Sequence, residues 1–265
     1  MSAALTAAFA ARKASGTPAF VAFLTAGYPN LAITVPAMVA MERAGVDVIE
    51  VGVPFSDPMA DGGTIAKANQ GALENGVSLA WTLQTVKEAR AAGVKAPIVL
   101  MGYLNPLLQY GEARLAVDAA AAGVSGFIIV DLLPEDAGVL NGHLKAAGLA
   151  FIPLVAPTTD NSRLAAIGAI ASAFIYCVSV TGVTGARTEL PTDLPAFVER
   201  VRKGIPHVPL AVGFGLSTRA HVDAVGNLAD GVVIGSAIVR ALEDGGVPAL
   251  EKLLADVVPP KKAVQ

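Results

Sequence analysis

The chain has 265 residues and a single cysteine, Cys177. One thiol can form no internal disulfide and no cysteine cluster for a metal, and it fits a reducing compartment. Charge is also scarce: 15% of residues are charged, against roughly a quarter in ordinary soluble domains. Net charge is −3 with no block of like sign, which argues against nucleic acid or an anionic membrane as partner. No run of about 18 uninterrupted apolar residues occurs, so no segment reads as a membrane span. Residues 1–16 place their positive charges after the apolar stretch, the reverse of a secretory signal, and read as an amphipathic helix. The expected location is cytoplasmic. No lysine falls at the C-terminal end of a strand-like run: Lys95 precedes one, and Lys67 and Lys145 lie on helical stretches. That disfavours Schiff-base chemistry. His143, His207 and His221 fall on helical stretches or before a strand, which predicts surface or bottom-of-barrel positions and no metal site.

Apolar residues, in contrast, make up 54% of the chain. They are organised by a recurring phrase: a helix ending in Ala or Gly, a short apolar run, then a polar loop. Eight such runs occur, each of about 5–8 residues, the normal strand range. Helical patterns lie between them, over Leu31–Ala44, Leu79–Ala92, Pro106–Ala122, Glu135–Ala147, Asn161–Ala171, Leu194–Lys203, Arg219–Val225 and Ser236–Leu242. Asp160 and Thr218 suit N-caps, and glycines follow several helices where a left-handed cap is needed. Strict strand–helix alternation implies a parallel sheet. Eight units in about 250 residues point to a (β/α)8 TIM barrel, here with an extra N-terminal helix. The rival, an open doubly wound sheet, usually carries Gly-x-Gly-x-x-Gly after its first strand, and Thr25–Asn30 is not such a turn. No linker is evident, so residues 1–265 read as one domain with a frayed tail from about 258.

Two acids stand out in "VIEVGVPFSDPMADGGTI", Val48–Ile65. Ile49, Val51 and Val53 form one alternating set suited to the helix side. Glu50 belongs to the other set, with Val48 and Gly52, and so points into the barrel near the C-terminal end of the second strand, where barrel active sites lie. A structural ion pair is the simpler role for a buried acid, but no basic residue occupies a comparable strand end. Desolvation would raise the Glu50 pKa toward neutrality and suit it to proton transfer. Asp57 and Asp61 lie in the following loop, where Asp ordinarily makes turns. A loop acid above a strand-borne acid can grip a substrate and move protons at two atoms.

Three glycine-rich turns, Thr181–Ala186, Gly213–Ser217 and Ile234–Ile238, follow the sixth, seventh and eighth runs. Each alone is only a turn. Together they match the barrel phosphate site, where backbone N–H groups and a helix N-terminus hold an anion, with Ser236 at that N-terminus. The inward set elsewhere is apolar and aromatic: Phe23 and Thr25, Met101 and Tyr103, and Phe174, Tyr176 and Val178. Such residues are usually core, but at strand ends they can wall a pocket for a flat aromatic group. Cys177 alternates with Tyr176 and should pack outward. The chemistry left is metal-free acid–base catalysis on a phosphate ester.

These motifs resemble the tryptophan synthase alpha subunit family over nearly the whole length. The likeness rests on Phe20–Pro29, Asp47–Ile65, Met101–Pro106, Gly126–Asp136, Ile175–Arg187, Ala211–Thr218 and Gly231–Val239. The Glu-x-Gly-x-Pro-Phe-Ser-Asp-Pro-x-Ala-Asp-Gly segment is highly specific. The resemblance implies retro-aldol cleavage of indole-3-glycerol phosphate to indole and glyceraldehyde 3-phosphate. It puts the catalytic glutamate at Glu50 and the loop aspartate at Asp61. It also implies an active-site tyrosine at Tyr176, an apolar lining of Phe23, Met101, Ile128, Leu154 and Phe214, and a phosphate cradle of Gly185, Gly215, Gly235 and Ser236. Thr184 matches a lid threonine that meets the loop aspartate. The family further implies a beta-subunit partner in an alpha2beta2 assembly, touched by Pro54 and Asp57, with pyridoxal phosphate in that partner and no cofactor here. The family usually reads Asp-Gly-Pro-Thr-Ile-Gln after the loop aspartate. This chain has Gly63 and Ala66, which should loosen the loop. A free-standing lyase, a catalytically silent barrel that regulates a beta subunit, and another phosphate-substrate barrel such as a sugar isomerase remain alternatives. The last would need a different acid–base pair, and none is found.

Overall fold

The computed structural model describes residues 2–178, 190–213 and 215–260. The strands are β1 (Ala19–Thr25), β2 (Val48–Gly52), β3 (Ile98–Gly102), β4 (Gly126–Ile129), β5 (Ala150–Phe151), β6 (Leu154–Val155), β7 (Ile175–Val178), β8 (Leu210–Gly213) and β9 (Gly231–Ile234). All ladders between them are parallel. The sheet order is β5-β4-β3-β2-β1-β9-β8-β7-β6. Its two ends, β5 and β6, are consecutive in the chain, separated only by Ile152 and Pro153, so the sheet closes on itself as an eight-stranded barrel. The fifth barrel strand is broken because Pro153 has no N–H to donate to a ladder. Pairing still runs through the break. Ile152 N–H donates to Phe127 carbonyl at 2.9 Å, and Pro153 carbonyl accepts from Tyr176 N–H at 3.0 Å.

The helices are α1 (Ala3–Ala14), α2 (Thr34–Ala44, after a 3-10 turn at Leu31–Ile33), α3 (Gly63–Glu74), α4 (Leu79–Ala91), α5 (Leu104–Tyr110), α6 (Glu112–Ala122), α7 (Gly138–Ala146), α8 (Asn161–Ile170), α9 (Leu194–Gly204), α10 (Arg219–Gly226) and α11 (Ser236–Val257). Asp160 and Thr218 do cap α8 and α10, accepting from Arg163 N–H at 3.0 Å and His221 N–H at 3.2 Å. Gly45 and Gly123 end α2 and α6 in the left-handed conformation. The helical stretch that carries Lys67 is α3. Two expectations differ. The Pro106–Ala122 pattern is two helices, broken at Gly111 with φ 91° and ψ 116°. The last helical pattern runs on to Val257 across a kink at Gly246.

The barrel has two apolar layers, as strand periodicity requires. Ile49, Val51, Val53 and Cys177 pack outward with the helices. Val21, Val48, Val99, Ile128, Ile152, Phe174, Tyr176 and Val233 fill the lumen. Helix α1 plugs the lumen with Leu5 and Phe9, and Phe9 stacks on Phe174 with ring centroids 4.9 Å apart. A Cβ on Gly231 would stand 2.9 Å from the Phe9 ring, so the plug needs glycine there. The end of α1 is pinned by a buried ion pair, Arg12 Nε to Asp47 Oδ2 at 2.7 Å, while the same carboxylate oxygen accepts Phe20 N–H at 2.8 Å. No helix among the described residues is long and apolar enough to cross a membrane.

Candidate active site

Glu50 lies between Phe23 of β1 and Val99 of β3 in the sheet register. Its side chain is 1% exposed, and neither carboxyl oxygen has a hydrogen-bond partner among the described residues. A charge left so bare is costly, so the group holds its proton. Burial, and then the charge of Asp61, push the Glu50 pKa up to about 8. Asp61 is also raised by burial, to about 6, but hydrogen bonds from Asn69 and Tyr103 pull against that rise. Near neutrality the site therefore holds a protonated Glu50 and an ionised Asp61.

Both acids line one cavity. Phe23, Met101, Tyr176, Gly215, Gly235 and Ser236 line it as well. Eight residues expected from the sequence thus meet at the C-terminal end of the barrel. Tyr103 lies in an adjoining recess with Phe23, Met101 and Asp61. It is more than a wall, because it hydrogen-bonds Asp61. Its hydroxyl oxygen accepts Ala60 N–H at 3.1 Å, leaving the O–H proton for the carboxylate. Phe55 stacks on the Tyr103 ring at 5.2 Å and holds the loop down. Tyr176 is buried, and that burial keeps its hydroxyl protonated.

Glycines give the cavity its shape. A Cβ on Gly213 would lie 2.3 Å from the Tyr176 hydroxyl, and one on Gly52 would lie 2.7 Å from the Phe23 ring. Gly215 has φ +78°, a conformation that side-chain-bearing residues rarely adopt. Helix α11 begins at Ser236, so its unpaired first-turn N–H groups and positive dipole end face the side of the cavity lined by Gly215 and Gly235.

Not every expected residue joins this group. Ile128 is fully buried in the lumen beside Met101, and Leu154 packs against the lumen beside Tyr176; neither is among the cavity-lining residues. In the loop after β2, Pro54 is buried, whereas Asp57 is exposed. Thr184, Gly185 and Phe214 lie outside the described residues. His221 corrects the surface-or-bottom expectation. It is buried on α10, and its Nδ1 accepts Ser217 N–H at 3.3 Å, supporting the turn that follows Gly215. Among the described residues no cluster of His, Cys, Asp and Glu could hold a metal.

Several site residues were missed from sequence. Thr64, Ile65 and Leu216 line the cavity, as does Arg240, whose Nη1 lies 3.4 Å from Thr64 Oγ1. Arg240 is the cationic side chain among the described lining residues. Its signal was available: it follows Ser236 by four residues and so shares that helix face. Asn69 donates to Asp61 Oδ2 at 2.9 Å.

A family profile described as tryptophan synthase alpha chain matches residues 9–262. The chain belongs to that family. It is 52% identical over 235 residues to the tryptophan synthase alpha chain of Roseiflexus castenholzii, covering 89% of this chain and 90% of that one. It is 51% identical over 244 residues to the tryptophan synthase of Saccharomyces cerevisiae, covering 92% of this chain. There it spans only 34% of the yeast protein's length. A solved structure of the Pyrococcus furiosus tryptophan synthase a2b2 complex superposes with a TM-score of 0.84 at 36% identity, covering 92% of this chain and 98% of that one. The family's TIM barrel is thus the fold of this chain, with α1 as the added N-terminal helix.

Proposed function

We propose that Glu50 and Asp61 carry the proton transfers of this family's reaction. The chain is a carbon–carbon lyase of tryptophan biosynthesis, cleaving indole-3-glycerol phosphate to indole and glyceraldehyde 3-phosphate. The observation that carries the assignment is the bare, protonated Glu50 carboxyl facing an ionised Asp61 across one cavity.

The steps balance with these two groups. Asp61 accepts the indole N–H and stabilises the positive charge that develops on the ring. Glu50 gives its proton to the ring carbon that bears the side chain. Now ionised, Glu50 takes the proton from the hydroxyl on the adjoining side-chain carbon. That oxygen becomes the aldehyde carbonyl. The carbon–carbon bond breaks, its electrons return to the ring, and Glu50 is protonated again. One carboxyl acts as acid and then base, which a pKa near neutrality permits. Phe23, Met101 and Tyr176 pack the indole, with Ile128 and Leu154 supporting that wall from the lumen. Gly215, Gly235 and Ser236, with Gly185, receive the phosphate, as glycine turns at helix N-termini do; Phe214 belongs to the apolar lining of the indole, and Thr184 meets Asp61.

A beta subunit of the kind present in the Pyrococcus furiosus complex is the proposed partner, in an alpha2beta2 assembly, and pyridoxal phosphate belongs to that subunit. The loop after β2 supports this reading, since Asp57 and the 81%-exposed Met59 present mixed polar and apolar surface in the loop that leads to Asp61. The cytoplasm is the proposed location. The test is indole release from indole-3-glycerol phosphate, with and without a beta subunit. Release that is slow alone and fast with the partner supports the two-subunit reading; fast release alone makes the chain a free-standing lyase; none in either case removes the assignment.

A further inference from the structure

We infer that Asn69 is a positioning residue that keeps Asp61 ionised and aimed at the substrate. This rests on the assignment of Asp61 above. The buried residues of α3 are Ala68, Asn69 and Ala72, so a primary amide stands on the helix face turned to the interior. An amide is expensive to bury unless it is hydrogen-bonded. Asn69 is 4% exposed, and its Nδ2 donates to Asp61 Oδ2 at 2.9 Å. An ionised carboxylate accepts only, so the donor end of the amide must face it.

Asp61 has a second donor, the Tyr103 hydroxyl, whose oxygen is already engaged by Ala60 N–H at 3.1 Å. The two donors do different work. Tyr103 rises from β3 and holds the loop residue itself. Asn69 lies eight residues after Asp61, one helix along, and ties the loop acid to the rigid body of α3. With two donors on the carboxylate, its remaining lone pairs stay free to take the indole N–H. Without Asn69, a buried acid next to Glu50 has less reason to stay charged, and less to fix its rotamer. Among the described residues, burial, Asn69 and Tyr103 act on the Asp61 proton, while Glu50 and Arg240 line the same cavity.

The experiment is the pH profile of kcat/KM and of kcat for indole release by the full chain, for the unsubstituted protein, Asn69→Leu, Asn69→Ser and Asp61→Asn. Thermal unfolding of each variant accompanies it. Losing one hydrogen bond to a charged group should move the acid limb of Asn69→Leu upward by about one pH unit. Its kcat at the optimum should fall about tenfold, with KM for the phosphate ester changed by less than about threefold. Asn69→Ser keeps a donor and should shift the limb less; it also keeps the test open if the leucine variant does not fold. A folded Asn69 variant with the acid limb unmoved overturns the inference. An acid limb that survives Asp61→Asn overturns instead the assignment of Asp61, so the two failures are distinguishable.

Discussion

The carboxylate of Asp61 and the burial of Glu50 act in the same direction on the Glu50 proton: both hold it in place. The relationship is reciprocal in use. In the proposed reaction an ionised Asp61 accepts the indole N–H while Glu50, still neutral, is ready to protonate the ring.

The pH dependence of catalysis follows directly. Asp61 must be ionised, which requires pH above about 6. Glu50 must be protonated, which requires pH below about 8. The kcat/KM profile should therefore be bell-shaped between these two apparent values, which belong to the pair. Steady-state indole release across the range checks it. A profile that keeps rising through the upper value would contradict the acid role of Glu50.

Stability should carry the mark of the same proton. Unfolded, Glu50 titrates near 4.5; folded, it keeps its proton to about 8. Between those values the folded state binds a proton that the unfolded state has released, so stability falls as pH rises through that window. Glu50→Gln removes the penalty. Its Tm advantage over the unsubstituted protein should be small near pH 4.5 and grow to several degrees by about pH 8. Calorimetry at several pH values measures it, and a constant difference would contradict the buried-proton account.

The turn after β8 is tested at Gly215. Its φ of +78° is a severe strain for a β-branched residue. Gly215→Val should weaken glycerol 3-phosphate binding by about tenfold or more through displacement of the turn. Titration calorimetry reads this, and unchanged affinity would count against the phosphate assignment.

Gly63 stands at the first position of α3, and a Cβ there meets nothing within 4 Å. Proline is a good first helical residue. Gly63→Pro should stabilise the protein by about 0.4–1 kcal/mol by restricting the unfolded chain. A lower Tm in thermal unfolding would show that the N–H or conformation of Gly63 is needed.

Much of this site was legible because strands obey a strict period of two. The position of Glu50 among Val48 and Gly52 was enough to aim it into the lumen, and strand–helix alternation gave the barrel. What escaped had physical reasons. Gly62 and Gly63 hide where α3 begins, so although Lys67 sits on a helical stretch, nothing local marks Asn69 as a buried amide. Pro153 breaks a strand only in the ladder, where its missing N–H matters. Arg240 lay one helical turn past the glycine motif. Tyr103 read as an apolar wall because its hydroxyl partners come from a loop whose path the sequence does not encode locally.

The central claim is that the Glu50 carboxyl performs the chemistry. The measurement is indole release from indole-3-glycerol phosphate by Glu50→Gln beside the unsubstituted chain, each with a beta subunit and without, and with glycerol 3-phosphate affinity determined for both. Loss of one acid–base group predicts a fall in kcat of about 100-fold to 10,000-fold with phosphate affinity retained. A glutamine variant that releases indole at a comparable rate would contradict the account.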